Sequence, residues 1–156
     1  MEKHQPIAIQ IQDRSSVRLS SQTLRRVCAR ALSELGFPEA GLQLSLVSER
    51  RICALHEELF QDPSSTNVIS LEYGPPAYAG DCMGLVYVCP AVARREAVQA
   101  GMDPAYRVGQ LVLHGIAHVC GYEHVGVSSR ERRRMEAVER KLARRVLVPL
   151  AAEGKL

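Results

Sequence analysis

The stretch Leu111 to His124, LVLHGIAHVCGYEH, constrains this chain more than any other. His114 and His118 stand four apart in an apolar segment, so on a helix they lie nearly on one face, one turn apart. Gly121 follows His118 by three residues, where a left-handed cap would end the helix and turn the chain back. That turn would return His124 to the same point. Whatever fold forms must therefore end an apolar helix in a glycine turn beside a cluster of imidazoles. Three of the five histidines fall within the eleven residues 114–124. Neutral imidazole suits zinc, and three protein nitrogens with an open fourth position are the arrangement of a catalytic zinc rather than a structural one. The expectation is one Zn2+ per chain, held by His114, His118 and His124. Cys120 lies about 200° round the helix from His118 and is expected in the core, outside the ligand set.

The spacing H-x-x-x-H-x-x-G-x-x-H is also that of the metzincin peptidases, which place a glutamate directly after the first histidine as general base. Gly115 occupies that position here, and glycine takes up no proton. A metal-dependent peptidase-like hydrolase is thus the lesser enzymatic alternative.

Around this segment the pattern is that of one α+β domain over residues 1–156. Ile7, Ile9 and Ile11 alternate with polar neighbours as a strand. From Ser21, the residues Leu24, Val27, Cys28, Ala31, Leu32 and Leu35 follow helical spacing, with Gly36 as the stop and Pro38 beyond it. Leu42, Leu44 and Leu46 form a second strand, expected parallel to the first because a helix joins them. Ser48 can cap a helix with Ile52, Leu55 and Leu59 facing inward, ending before Asp62-Pro63. Asn67 to Tyr73 and Met83 to Cys89 read as strands able to pair as a long-looped hairpin. Helices then open at Pro90 and after Asp103-Pro104. Met135, Val138, Leu142 and Val146 mark one last amphipathic helix. The order β-α-β-α-β-β-α-α-α predicts a four-stranded mixed sheet packed against about five helices, the histidine motif riding on a helix followed by the glycine turn.

Composition narrows the function classes. Apolar residues make up 46% and charged residues 24% of 156, as in ordinary globular chains. Apolar runs such as Val146 to Ala152, seven residues broken by Pro149, fall far short of a membrane span. The N-terminal segment alternates polar and apolar residues without a signal-like core, so a cytoplasmic location is expected. Five cysteines with no C-x-x-C pair encode neither a disulfide framework nor a cysteine-rich zinc site. Charge is uneven: residues 126–148 carry eight Arg or Lys against three Glu, a net +5 within a chain of formal charge +3. Arg130, Arg132, Arg133, Arg134, Arg140, Lys141, Arg144 and Arg145 could track an RNA backbone, or form a solvated face diluted by Glu131, Glu136 and Glu139.

The segment His114 to His124, HGIAHVCGYEH, resembles the H-G-x-L-H-L-x-G-Y-D-H signature of the YbeY family of bacterial rRNA-maturation endoribonucleases. Upstream, Thr66 to Leu71 (TNVISL) is similar to the family's T-D-V-L-S-F strand, and Gly80-Asp81 with the strand after it resembles L-G-D-I. Asn67 and Glu123 stand where the family has Asp, and Ala117 where it has Leu. Phe60 stands where the family has an arginine thought to serve the active site. A phenyl ring binds no phosphate, and Arg50 or Arg51 of the same helix are candidate substitutes. The resemblance implies a zinc-dependent, single-strand-type endoribonuclease acting in maturation of the 16S 3′ end and in ribosome quality control. Its partners would be an rRNA precursor and the small ribosomal subunit, with no membrane and no nucleotide cofactor. The ion would activate water or a ribose 2′-OH, and the residues do not choose between them. Glu123 could hold an imidazole or accept a proton. Thr66, Ser70, Arg132, Arg133 and Arg134 could contact substrate phosphates, although Thr66 and Ser70 equally suit ordinary polar strand positions. A non-catalytic RNA- or ribosome-associated module with a structural zinc is the third class.

Overall fold

Ser20, in extended conformation, accepts the backbone N–H of Thr23 at 3.0 Å and so starts α1 (Ser21–Glu34). Its apolar stripe of Leu24, Val27, Cys28, Ala31 and Leu32 is buried, and the helix stops at Gly36 with φ +93°. α1 joins β1 (Ile7–Ile11) to β2 (Gly41–Leu46), which pair in parallel from Ile7 opposite Leu42 to Ile11 opposite Leu46. This is the expected βαβ unit. α2 (Glu49–Phe60), capped by Ser48, leads to β3 (Val68–Glu72) and then β4 (Cys82–Val88), an antiparallel pair. The sheet order is β1-β2-β4-β3, with β4 inserted parallel to β2, so the sheet is mixed and β3 forms one edge. The computed structural model describes residues 6–156; residues 1–5, which begin the segment read as lacking a signal core, lie outside the described residues.

Helices α3 (Pro90–Ala100), α4 (Pro104–Val119) and α5 (Ser129–Leu142) follow. α4 is the central element, with nine buried residues including Val108, Leu111, Val112, Ile116 and Val119. It lies against α1 and across β3 and β4, and its residues share one apolar core with Leu42, Leu44, Val86 and Val88 of the sheet. Gly115 makes this close approach possible. A Cβ built there would stand 2.5 Å from Cγ1 of Val86, so the helix backbone rests directly on the β4 side chain. A second, smaller core of Val47, Ile52, Leu55, Ile69 and Cys89 lies beneath α2.

Two local expectations are corrected. Leu59, expected inward with Ile52 and Leu55, is 37% exposed, because the second core ends at Leu55 and the last turn of α2 has no apolar surface to cover. The final helix runs on without a break but changes type: after Leu142 a π-helical turn spans Ala143–Leu147, followed by α6 (Val148–Ala152). Pro149 has no N–H to give the carbonyl four residues earlier, which disfavours a regular α-helical ladder there. The wider turn buries two adjacent residues, Val146 and Leu147, and Leu147 packs onto Gly109 of α4.

Candidate metal centre

His114 and His118, both half-buried, project from the last turns of α4. The helix ends as its glycine requires. Gly121 has φ +96°, its N–H donates to the carbonyl of His118 at 2.9 Å, and the N–H of Tyr122 donates to Ala117 at 3.0 Å. This turn carries His124 back to the helix. Nε2 of His118 lies 3.1 Å from Nε2 of His114, and Nε2 of His124 lies 3.2 Å from that same atom. All three candidate ligand atoms fall within 4.8 Å of one another, on half-buried rings.

Two carboxylates define the other edge of the rings. Glu139 of α5 meets Nδ1 of His114, and Oε2 of Glu123 lies 3.3 Å from Nδ1 of His118. A carboxylate at Nδ1 selects the tautomer with its proton there, leaving the Nε2 lone pairs of His114 and His118 facing each other. Two lone pairs at 3.1 Å repel unless a cation lies between them. Three nitrogens held tetrahedrally at zinc's ligand distance would stand about 3.3 Å apart, close to the spacing here. The donor set therefore fits a divalent ion. Burial and the neighbouring His114 hold the His118 imidazole below its ordinary pKa, against the pull of Glu123. The Glu139 carboxyl is opposed by its own burial, but the hydrogen bond from His114 and the three imidazoles bring it below the usual value.

The other expected residues are distributed unequally. Ser70 joins Glu72, His118 and Glu123 around a cavity of about 210 Å³. Thr66 is half-buried ahead of β3 and lines neither cavity at the histidines. Arg132, Arg133 and Arg134 are exposed on α5, and the Arg134 guanidinium sits 5.4 Å over the ring of Tyr122. Arg132 precedes Glu139 by seven residues, close to two turns, and so shares its face. Phe60 is exposed at the end of α2 with its ring edge on His56, and Arg50 and Arg51 line neither cavity. Cys120 is packed against the main core and lies outside the cluster, as expected; burial pushes its thiol up to about 12.

Sequence reasoning missed two features. Glu139, counted only as a diluting charge, is the partner of His114; its place beside Val138, on the flank of the buried stripe, was the available signal. A cavity of about 330 Å³ also opens beside His114, lined by Asn67, Arg107, Gln110, Glu139 and Arg140 among others. No local pattern marks Arg107, because its carboxylate partner Glu96 comes from α3 and the Asn67 amide that holds Glu96 comes from the segment before β3.

The fold and the cluster define an α+β domain built around a helix-borne group of three imidazoles able to hold a metal ion. The sequence model of the family described as Endoribonuclease YbeY matches residues 8–146, and the chain belongs to that family. It is 36% identical over 131 residues to the endoribonuclease YbeY of Geobacter metallireducens, covering 80% of this chain and 85% of that protein. It is 32% identical over 127 residues to that of Geobacter sulfurreducens, with the same coverage. The solution structure of TM1509 from Thermotoga maritima has the same fold, with a TM-score of 0.66, 20% identity, and coverage of 96% of this chain and 94% of that one.

Proposed function

We propose that this chain is a zinc-dependent endoribonuclease that cuts single-stranded segments of ribosomal RNA precursors, at the 16S 3′ end, and serves ribosome quality control. The observation that carries the reading is the convergence of His114, His118 and His124 on one point in a chain of the YbeY family. A divalent ion held there supplies Lewis acidity toward a phosphoryl oxygen and toward water. Glu139 and Glu123 keep the Nδ1 protons of His114 and His118 in place, so that both Nε2 atoms stay available as ligands. Glu123 is the more exposed carboxylate and stands beside the small cavity, where it can accept a proton from the attacking group. Ser70 would donate a hydrogen bond to a phosphate there, with Thr66 four residues earlier on the same segment. Arg132, with Arg133 and Arg134, would meet the strand as it runs along α5. A cytoplasmic site of action and the small ribosomal subunit as partner complete the reading. Among the described residues, no helix is long and apolar enough to cross a membrane.

The peptidase alternative is weakened by a packing observation. Position 115, where that mechanism puts its base, faces Val86 with no room for a side chain. The test is direct: a structured rRNA precursor and an unfolded peptide are each incubated with the protein as purified, after chelation, and after zinc is restored. RNA cuts that vanish on chelation and return with zinc, with the peptide intact, are expected. Peptide cleavage without RNA cleavage would instead favour the peptidase, and a fully loaded protein that cuts neither would favour the non-catalytic module.

A further inference from the structure

The cavity beside His114 has a charge arrangement that the metal centre does not use. Its volume of about 330 Å³ is at the small end of ligand pockets. Its walls include Val68, Leu111, Leu113 and Ala143 beside its polar groups. Arg107 is its most constrained polar group. One terminal nitrogen of the guanidinium donates to Glu96 at 2.8 Å and the other to Gln110 at 3.1 Å. Glu96 is itself fixed by the Asn67 amide, which donates to its two oxygens at 3.0 and 3.3 Å. A guanidinium has five N–H donors, so three remain after these two bonds. Arg107 is thus held in one geometry before any ligand arrives, and little side-chain freedom remains to be lost on binding.

Glu96 lies outside the cavity wall, and Glu139, the one carboxylate in that wall among the described residues, is committed to His114. Arg140, from the turn of α5 next to Glu139, adds a second guanidinium to the lining. Two arginines beside a metal-binding histidine, one pre-positioned by a carboxylate behind it, favour an anion of phosphate geometry.

We propose that this cavity is a phosphate subsite for the substrate strand, taking a backbone phosphodiester adjacent to the one at the metal centre, with Arg107 as its fixed donor and Arg140 as its second cation. The subsite reads backbone rather than base, and it deepens the ribonuclease reading, on which it rests.

The experiment measures binding of a fluorescent 2′-O-methylated oligoribonucleotide, checked intact by gel, across a series of KCl concentrations. Arg107→Gln should weaken binding on the order of tenfold, the worth of a charged hydrogen bond. It should also flatten the log–log salt slope by about 0.7, the value for one single-strand phosphate. Arg107→Lys should keep the slope and lose part of the affinity. Arg140→Gln should flatten the slope similarly, and because Arg140 is exposed it answers the question even if Arg107→Gln fails to fold. Metal content and circular dichroism should match wild type in each variant used. Folded, metal-loaded variants with unchanged affinity and slope would overturn the subsite, as would a wild type that does not bind the strand. If the slopes fall as expected while wild type cuts no RNA, the cavity stands as a phosphate site for a bound strand and the ribonuclease reading fails. If wild type cuts RNA and the slopes do not move, the reverse holds.

Discussion

Glu139 on α5 takes the Nδ1–H of His114 on α4, twenty-five positions earlier in the chain. The helix after the glycine turn therefore orients the first histidine of the motif. His118 is served locally instead, by Glu123 only five residues on. One histidine depends on tertiary packing and the other on the turn.

Glu139→Gln should lower zinc affinity about 10- to 100-fold, the usual cost of losing a carboxylate behind a histidine ligand. Glu123→Gln should cost less, because its separation from the ring is longer and its carboxylate more exposed. Competition against a chromogenic chelator measures both. An affinity unchanged in Glu139→Gln would show that α5 does not position His114.

The same pair predicts a pH effect in chelator-treated protein. Glu139 has its folded pKa below the ordinary value of 4.5, with burial opposing and the His114 hydrogen bond and the imidazoles prevailing. A depressed carboxyl contributes stability that is present above its unfolded pKa and lost as pH falls through the folded one. Urea denaturation at several pH values should show a gap between wild type and Glu139→Gln that is present above about pH 4.5 and closes as pH falls further. A gap that keeps widening below about pH 4.5 would contradict the assignment.

Gly115→Ala tests the close approach that lets α4 lie on the sheet. The new methyl would meet Val86 Cγ1 at 2.5 Å in a close-packed core. A loss of about 1–3 kcal/mol is expected, and Val86→Ala in the same chain should recover part of it. Thermal or urea unfolding reads this. An undiminished stability in the single variant would mean that α4 sits further from β4.

Changing Arg132, Arg133 and Arg134 together to Gln should leave α5 helical, since Gln is nearly as good a helix former and the Met135, Val138 and Leu142 stripe is untouched. RNA affinity should fall, with the salt slope shallower by up to about 0.7 for each phosphate no longer neutralised. The full effect of three charges is not expected, because Arg134 already lies over Tyr122. Unchanged binding in the folded triple variant would make this face a solvated surface.

Much of the fold was legible because its signals are local. Ser20 and Gly36 bracket α1, Gly121 ends α4 with the positive φ its position implied, and a helix between β1 and β2 required their parallel pairing. The clustering of the three histidines was legible for the same reason, since helical spacing and one turn bring them together. What was missed depends on packing between distant elements. Leu59 has an apolar position but no core beneath it, and the π-helical turn answers the packing of Leu147 on Gly109. Glu139 and the Asn67, Glu96 and Arg107 chain acquire their meaning only when α3, α4 and α5 are laid beside β3.

The three-histidine centre is tested most directly by the divalent-metal content of purified wild type and of His118→Ala, measured by mass spectrometry on protein of known concentration. About one ion per chain is expected in wild type and far less in the variant, because two nitrogens do not hold zinc as three do. Equal metal content in the two proteins, both folded, would contradict the centre and the hydrolytic chemistry built on it.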